Sequence, residues 1–528
     1  MRISLIFPPF SNPTYLPLGI SSLFAYLKNI LNDEHEVCAL DLNIDAWHYF
    51  IKEEPDNFNY FFRGESGDFY DEEQYKYNYQ TWREIVKIFE KNINYAKLYL
   101  EKNILDGDFN EFLTFLVSII LRNDPELLGF SVMFPRQILF TLAIAKRIKE
   151  QESGKNIKIV LGGSGMASVY QDDILECCPY IDAVFAGEGE RGLKLLIEGR
   201  PFEEIPGLIY RKDNFIHFNQ KPQTLSLAEL PTPDFSQFDL NKYLTPEVVL
   251  PYICSRGCLW RRCRFCAHNF SFAGYRCKSS KAAVDEIETL ILKYGVNHFY
   301  FADQYLDVLY LEKLSDEILK RGIKINFHCM GRPTADYTAE RLGKLAKAGC
   351  KWISWGVETG SQRLIDIANK GVQVKDIENI LKYSHESGIN NLLMMIFGLP
   401  TSTDNDLYET FDFLENAADF IDSMTESTFL LYEETAFAKS PSKYDLHIVG
   451  NQDICTINNK PIRLLKLDHK EIAKDGTLRS PRGAFENEVW QSRKKWIYKP
   501  RIFDNLCVEH YLLYASKFSK EQSKLFLM

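Results

Sequence analysis

No stretch of this chain is apolar for long enough to cross a bilayer. The longest candidate, Phe112 to Leu121, is about half of the roughly 18 residues a spanning helix needs. An export signal is missing as well: Met1-Arg-Ile-Ser-Leu-Ile-Phe-Pro-Pro9 has a positive charge and a few apolar residues, but no long apolar core and no small-residue cleavage site. This predicts a cytoplasmic protein. Basic residues are not in excess either. Lys and Arg number 62 against 72 Asp and Glu, a formal net charge of -10, which argues against general nucleic-acid binding, since that relies on a basic surface. Neither a repeat nor a low-complexity tract occurs.

Cysteine, by contrast, is plentiful. Without an export signal, 12 cysteines are better explained as reduced thiols plus a metal site than as a disulfide framework. Four of them fall between 254 and 266. The others, Cys38, Cys177, Cys178, Cys277, Cys329, Cys350, Cys455 and Cys507, are scattered and read as small buried hydrophobes.

A length of 528 residues exceeds one ordinary core and suggests two to four domains. From the start, short apolar runs alternate with helical patterns: Ile3 to Phe7, Val37 to Asp41, Leu127 to Val132, Ile157 to Gly163 and Ile181 to Gly187, with helices such as Leu18 to Leu31 and Arg136 to Glu150. This alternation predicts an α/β fold with a doubly wound parallel sheet. An aromatic-rich stretch from about 44 to 110, with Trp47, Phe58, Phe62, Tyr75 and Trp82 among its rings, interrupts the rhythm and reads as a mostly helical insertion. The Pro-rich connector Leu230-Pro-Thr-Pro-Asp234 marks a boundary. A second series follows, with strands Val248 to Ile253, His298 to Ala302, Ile325 to Cys329, Trp352 to Val357 and Asn391 to Gly398. It predicts a partial or full parallel barrel with its chemistry at the carboxyl ends of the strands. The expected division is 1–235, 236–440 and a less regular C-terminal region, 441–528.

The strongest signal is Cys254-Ser-Arg-Gly-Cys258-Leu-Trp-Arg-Arg-Cys263-Arg-Phe-Cys266, just beyond the first strand of the second series. Three thiolates in one loop can hold three corners of a 4Fe-4S cube and leave the fourth iron open to substrate, whereas electron-transfer clusters usually take four cysteines. Zinc is the competing metal, because Cys263-x-x-Cys266-x-His268 with Cys258 could form a three-sulfur, one-nitrogen tetrahedron.

This loop resembles the cluster loop of the radical S-adenosylmethionine (SAM) superfamily, in which an aromatic residue, here Phe265, precedes the last of three cysteines. The usual C-x3-C-x2-C spacing is exceeded by one residue, since Leu259 to Arg262 separate the first two ligands; Cys254 is left as a spare thiol. The resemblance implies a 4Fe-4S cluster on Cys258, Cys263 and Cys266, with SAM chelating the open iron. It further implies SAM contacts from Phe265, Asp303 (to the ammonium), Arg332 (to the carboxylate), Glu358 (to the amino or ribose groups) and Gly398.

The first series resembles the cobalamin-binding domains that precede the barrel in one large subgroup. Pro9, Ser131, Gly162, Gly163, Gly165 and Ala186-Gly187-Glu188 stand at or just after strand ends, where open α/β sheets bind ligands. The resemblance implies cobalamin there. The Asp-x-His-x-x-Gly motif of other cobalamin folds is missing, which implies a cobalt without a protein imidazole beneath it.

The expected activity is methyl transfer to an unactivated carbon of a natural-product or peptide substrate, cobalamin relaying a methyl from one SAM while a second SAM supplies the radical. A non-methylating rearrangement or cyclisation is the alternative, and a non-catalytic cobalamin or SAM sensor a third. Arg256, Arg261, Arg262, Arg264, Arg276, Lys278 and Lys281 make a basic neighbourhood suited to an acidic flavodoxin or ferredoxin. A second basic run, Arg493 to Arg501, reads as a helix surface or a contact for an anionic or peptide substrate. The aromatic insertion and the tail are the expected substrate determinants.

Overall fold

The computed structural model describes residues 1–32, 34–52, 57–65, 67–268, 274–473, 475–480 and 507–518. Two compact units divide the chain: Met1–Pro246 with Asn451–Leu465, and Glu247–Gly450 with Lys466–Met528. The division therefore falls at 246/247 rather than 235. The region after 441 is shared between the units instead of standing alone.

In the first unit, β1 (Arg2–Phe7), β2 (Glu36–Asp41), β3 (Leu127–Ser131), β4 (Lys158–Gly162) and β5 (Ala183–Phe185) run parallel in the order β2-β1-β3-β4-β5. Two strands missed by the periodicity, β6 (Leu208–Lys212) and β7 (Phe215–Phe218), extend it antiparallel, so the sheet is mixed. Apolar runs such as Ile3, Leu5, Ile6 and Phe7 are buried on both faces, as a helix-covered parallel sheet requires.

The aromatic insertion is helical (Leu42–Ile51, Asn57–Phe62, Glu72–Lys102 and Gly107–Leu121). Its rings pack on one another: Trp47 lies 5.1 Å from Trp82, and Phe62 lies 5.0 Å from the same indole. Phe58, Phe61, Phe62, Phe69 and Tyr75 are buried. These aromatics build a core of their own.

In the second unit, β8 (Val249–Tyr252) is followed by the short pair β9 (Ser255–Arg256) and β10 (Arg276–Cys277), which frames the end of the cysteine loop. Then come β11 (His298–Phe301), β12 (Asn326–Gly331), β13 (Cys350–Glu358), β14 (Asn390–Phe397) and β15 (Ser423–Thr428). With β8 they form a six-stranded sheet in sequential order, every neighbouring pair parallel. This is a partial barrel, and β15 is a strand beyond those expected. Trp355 donates from Nε1 to Asn391 Oδ1 at 2.8 Å, and Asn391 reaches the Leu381 carbonyl of helix Val374–Glu386, so this face is covered by helices. The opposite face carries Tyr300, His328 and Trp352, side by side in register, with the helix Val508–Lys517 packed against them. Trp352 and Tyr511 are 4.1 Å apart, ring centre to ring centre.

Candidate functional site

The parallel register of β8, β11, β12, β13 and β14 brings the second-unit candidates to one edge. Cys258, Cys263 and Cys266 follow β8 and are half-buried, whereas Cys254 is fully buried. Among the described residues the 12 cysteines form no disulfide, and no three His, Cys, Asp or Glu side chains close into a metal cage. The three thiols are nonetheless neighbours: Cys263 feels both Cys266 and Cys258, and burial pushes its thiol up to about 12 while Lys370 pulls the other way. Three half-buried thiols on one loop, beside a buried ammonium, are a donor set that fits three corners of an iron-sulfur cube.

Asp303, expected to meet the SAM ammonium, has partners within the protein. It is 1% exposed, and its carboxylate accepts from the amides of Cys254 (3.0 Å) and Ser255 (2.6 Å) and from the Ser255 hydroxyl (2.5 Å). Burial raises its carboxyl to about 6, with those hydrogen bonds opposing. It is the anchor of the loop's first residues.

Arg332 likewise has internal partners. Its Nη1 donates to the carbonyls of Lys370 (3.0 Å) and Gly371 (3.1 Å), and its guanidinium lies 4.2 Å from the Trp260 ring centre and 5.5 Å from that of Tyr305. Glu358, 7% exposed, is ion-paired to the buried Lys370. Arg332, expected to meet the SAM carboxylate, and Glu358, expected to meet its amino or ribose groups, thus also hold the turn after helix Gln362–Ile367. Phe265 packs against the apolar cluster that includes Leu364 and Leu399, and Gly398 follows β14 with a φ of +73°. Lys370 and Trp260 escaped the sequence reading. Their one signal was the extra residue between Cys258 and Cys263.

Uncharged side chains stand on the inner face toward the carboxyl ends of β12, β14 and β15. Met330, Met394 and Ile396 are half-buried, and Thr425 and Ser427 are exposed. Below them His328 stacks on Tyr300 (4.8 Å) and bonds Ser354 (2.8 Å); burial lowers its pKa to about 3, so the ring is neutral.

In the first unit, Pro9, Ser131, Gly162, Gly163, Gly165 and Ala186 to Glu188 all stand at the carboxyl edge of β1, β3, β4 and β5. Two glycines serve the protein itself. A Cβ on Gly163, whose φ is +94°, would lie 2.3 Å from the Val132 carbonyl oxygen, and one on Gly165 would meet Met133 and Phe134 backbone at 3.1 Å. Both glycines make room for the neighbouring 132–134 loop. Gln137, missed from sequence, ties this rim together: its Oε1 accepts from the Met133 and Phe134 amides and its Nε2 donates to the Pro8 carbonyl at 2.6 Å. Beside it Met133 is 45% exposed. An exposed apolar side chain on a backbone-lined sheet edge fits a flat macrocycle. The loop after β4 contains no histidine.

Comparison with known proteins gives these edges their meaning. Residues 252–414 match the Radical SAM superfamily and residues 90–197 match the B12 binding domain, together just over half of the chain. Relatives include the "Uncharacterized methyltransferase PH0819" of Pyrococcus horikoshii, 29% identical over 59% of this chain and 68% of that protein. Another is the anaerobic magnesium-protoporphyrin IX monomethyl ester cyclase of Rubrivivax gelatinosus, 28% identical over 54% of this chain. The chain spans about half (53%) of that cyclase's length. The fold resembles that of the cobalamin-dependent radical SAM enzyme OxsB (TM-score 0.62, 18% identity, 88% of this chain and 64% of that one). It also resembles the radical SAM methyltransferase TsrM from Kitasatospora setae (TM-score 0.62, 16% identity, 94% and 90%). The match covering the cysteine loop decides for an iron-sulfur cluster over zinc. The chain belongs to the radical SAM superfamily, in the group that carries a B12-binding domain together with the radical SAM domain.

Proposed function

We propose that this enzyme is a methyltransferase acting on an unactivated carbon of a small natural-product or peptide substrate. The observation that carries the reading is the three-thiol loop anchored at the barrel's carboxyl edge, in a chain that also has a B12-binding domain. When bound, the cluster and SAM supply a carbon-centred radical and cobalamin supplies methyl transfer; the protein's part is orientation and exclusion of quenching.

Cys258, Cys263 and Cys266 hold three irons and leave the fourth for SAM. Asp303 fixes the start of their loop, Arg332 and Glu358 act as positioning groups, and Phe265 and Gly398 flank SAM. In the first unit Pro9, Ser131, Gly162 and Ala186 to Glu188, with Met133, line the cobalamin rim, while Gly163 and Gly165 shape it from behind. The half-buried Met330, Met394 and Ile396, with no acidic or lysine side chain among the described residues on that face of β12, β14 and β15, suit an uncharged carbon skeleton. The electron donor is a flavodoxin or ferredoxin meeting the basic residues around the loop. Such chemistry needs a reducing compartment, in keeping with a cytoplasmic enzyme. Among the described residues no helix is long and apolar enough to cross a membrane.

The second reading, a non-methylating cyclisation or rearrangement, has one observation in its favour: relatives include a cyclase and the 4'-phospho-dehydrooxetanocin synthase of Priestia megaterium. Anaerobic reconstitution followed by measurement of both SAM products separates the two. S-adenosylhomocysteine formed beside 5'-deoxyadenosine supports methyl transfer. 5'-Deoxyadenosine alone, with cobalamin bound, supports the second reading.

A further inference from the structure

Lys370 is a cation where cations are costly. It is 6% exposed, and a buried ammonium persists only when paired and hydrogen-bonded. Its partner is Glu358, whose backbone takes a φ of +70°, a left-handed conformation that non-glycine residues rarely adopt. Gly356 clears the space between them, since a Cβ there would lie 2.6 Å from Lys370 Nζ and 2.9 Å from Glu358 Oε1.

The turn that carries Lys370 is locked to the cysteine loop. Trp260 Nε1 donates to the Asn369 carbonyl at 2.9 Å, and Gly371, with a φ of +69°, lies so close that a Cβ would come within 2.3 Å of the indole. Asn369 Nδ2 donates to the Arg262 carbonyl at 3.0 Å, and the Arg264 amide donates to the Ala368 carbonyl at 2.9 Å. Arg332, stacked on Trp260, clamps the same turn through the carbonyls of Lys370 and Gly371. Trp260 sits within the four residues between Cys258 and Cys263, where Arg261 absorbs the longer loop with a φ of +47°.

The Lys370 ammonium lies 5.9 Å from the ring centre of Phe265, the residue just before Cys266. The positive end of the pair is therefore set beside the cysteine loop. Adding an electron to a cluster is favoured by a fixed positive charge nearby, one of the levers by which proteins set cluster potentials.

We propose that Lys370 and Glu358 form a fixed dipole whose ammonium end raises the reduction potential of the cluster, and that Trp260, made possible by the longer loop, holds it in register. Lys370 is thus a positioning residue acting through the cluster. The inference rests on Cys258, Cys263 and Cys266 being the ligands.

The test uses the full chain, anaerobically reconstituted, with iron content measured and the cluster's potential titrated by electron paramagnetic resonance. Lys370→Met is expected to make the potential more negative and Glu358→Gln to make it more positive, with iron content as in the parent protein. Shifts of the same sign in both variants, or no shift in either at normal iron content, overturn the proposal. Should Lys370→Met fail to retain iron, the sign of the Glu358→Gln shift decides alone. Full iron in Cys263→Ala would instead remove the ligand assignment, an outcome distinct from unchanged potentials.

Discussion

Asp303 grips Ser255 twice, through its amide at 2.6 Å and its hydroxyl at 2.5 Å. A carboxylate at the end of β11 thereby fixes the direction in which the chain leaves β8 toward the cysteines. Hydrogen bonds to a charged acceptor contribute about 1.5 kcal/mol or more each. Asp303→Ala removes three of them, so it is expected to destabilise the second unit by about 4 kcal/mol and to lower iron retention. Iron analysis beside thermal unfolding checks this; full iron with an unchanged melt contradicts it.

Gly163 makes a contrasting case. Its φ of +94° and the 2.3 Å approach of a Cβ to the Val132 carbonyl oxygen mean that even Gly163→Ala strains the first unit, at a cost on the order of 3 kcal/mol. The larger Gly163→Trp is therefore expected to unfold the rim. At Gly189 a Cβ meets nothing within 4 Å, so Gly189→Ala is the tolerated control, within about 1 kcal/mol. Chemical denaturation of the two variants side by side measures the difference.

Asp41 links stability of the first unit to pH. Burial raises its carboxyl to about 7, although the Tyr243 hydroxyl donates to it at 2.6 Å and the amides of Asn43 and Ile44 at 2.9 and 3.1 Å. The native state thus holds a proton that the unfolded chain, with a carboxyl near 4, releases. Stability should fall as pH rises from about 4 to about 7, by up to about 1.4 kcal/mol for each pH unit, and level off above. Asp41→Asn is expected to flatten that slope, as read from denaturation midpoints across the range.

The loop after β4 offers no imidazole, so bound cobalamin should be without a protein nitrogen beneath the cobalt. Electron paramagnetic resonance of the cobalt(II) form should lack nitrogen splitting from the protein. A splitting abolished by replacing His35, His48 or His217 would contradict this.

Strand-and-helix alternation made the parallel strands of both units legible, because buried strands leave continuous apolar runs such as Ile3 to Phe7. It missed β6 and β7, where Arg211, Lys212 and His217 interrupt the apolar pattern, and β15, whose Thr425 and Ser427 face an open side. The cysteine loop was legible because metal ligation demands particular residues at short spacing. The internal hydrogen bonds of Asp303, Arg332 and Glu358 were not, since a charged residue at a strand end looks the same in sequence whether or not it also holds a neighbouring turn. Glycine carries the same ambiguity: Gly163 makes way for Val132, 31 residues earlier in the sequence. The second basic run, Arg493 to Arg501, lies outside the described residues.

The most direct test of the account is iron content and SAM cleavage in four single variants of the cysteine loop, reconstituted anaerobically in parallel. Cys258→Ala, Cys263→Ala and Cys266→Ala are each expected to abolish SAM cleavage, because every corner of the cube needs its thiolate. Cys254→Ala, whose thiol is fully buried, is expected to retain the cluster. Loss of the cluster in Cys254→Ala together with normal iron in Cys258→Ala would contradict the account.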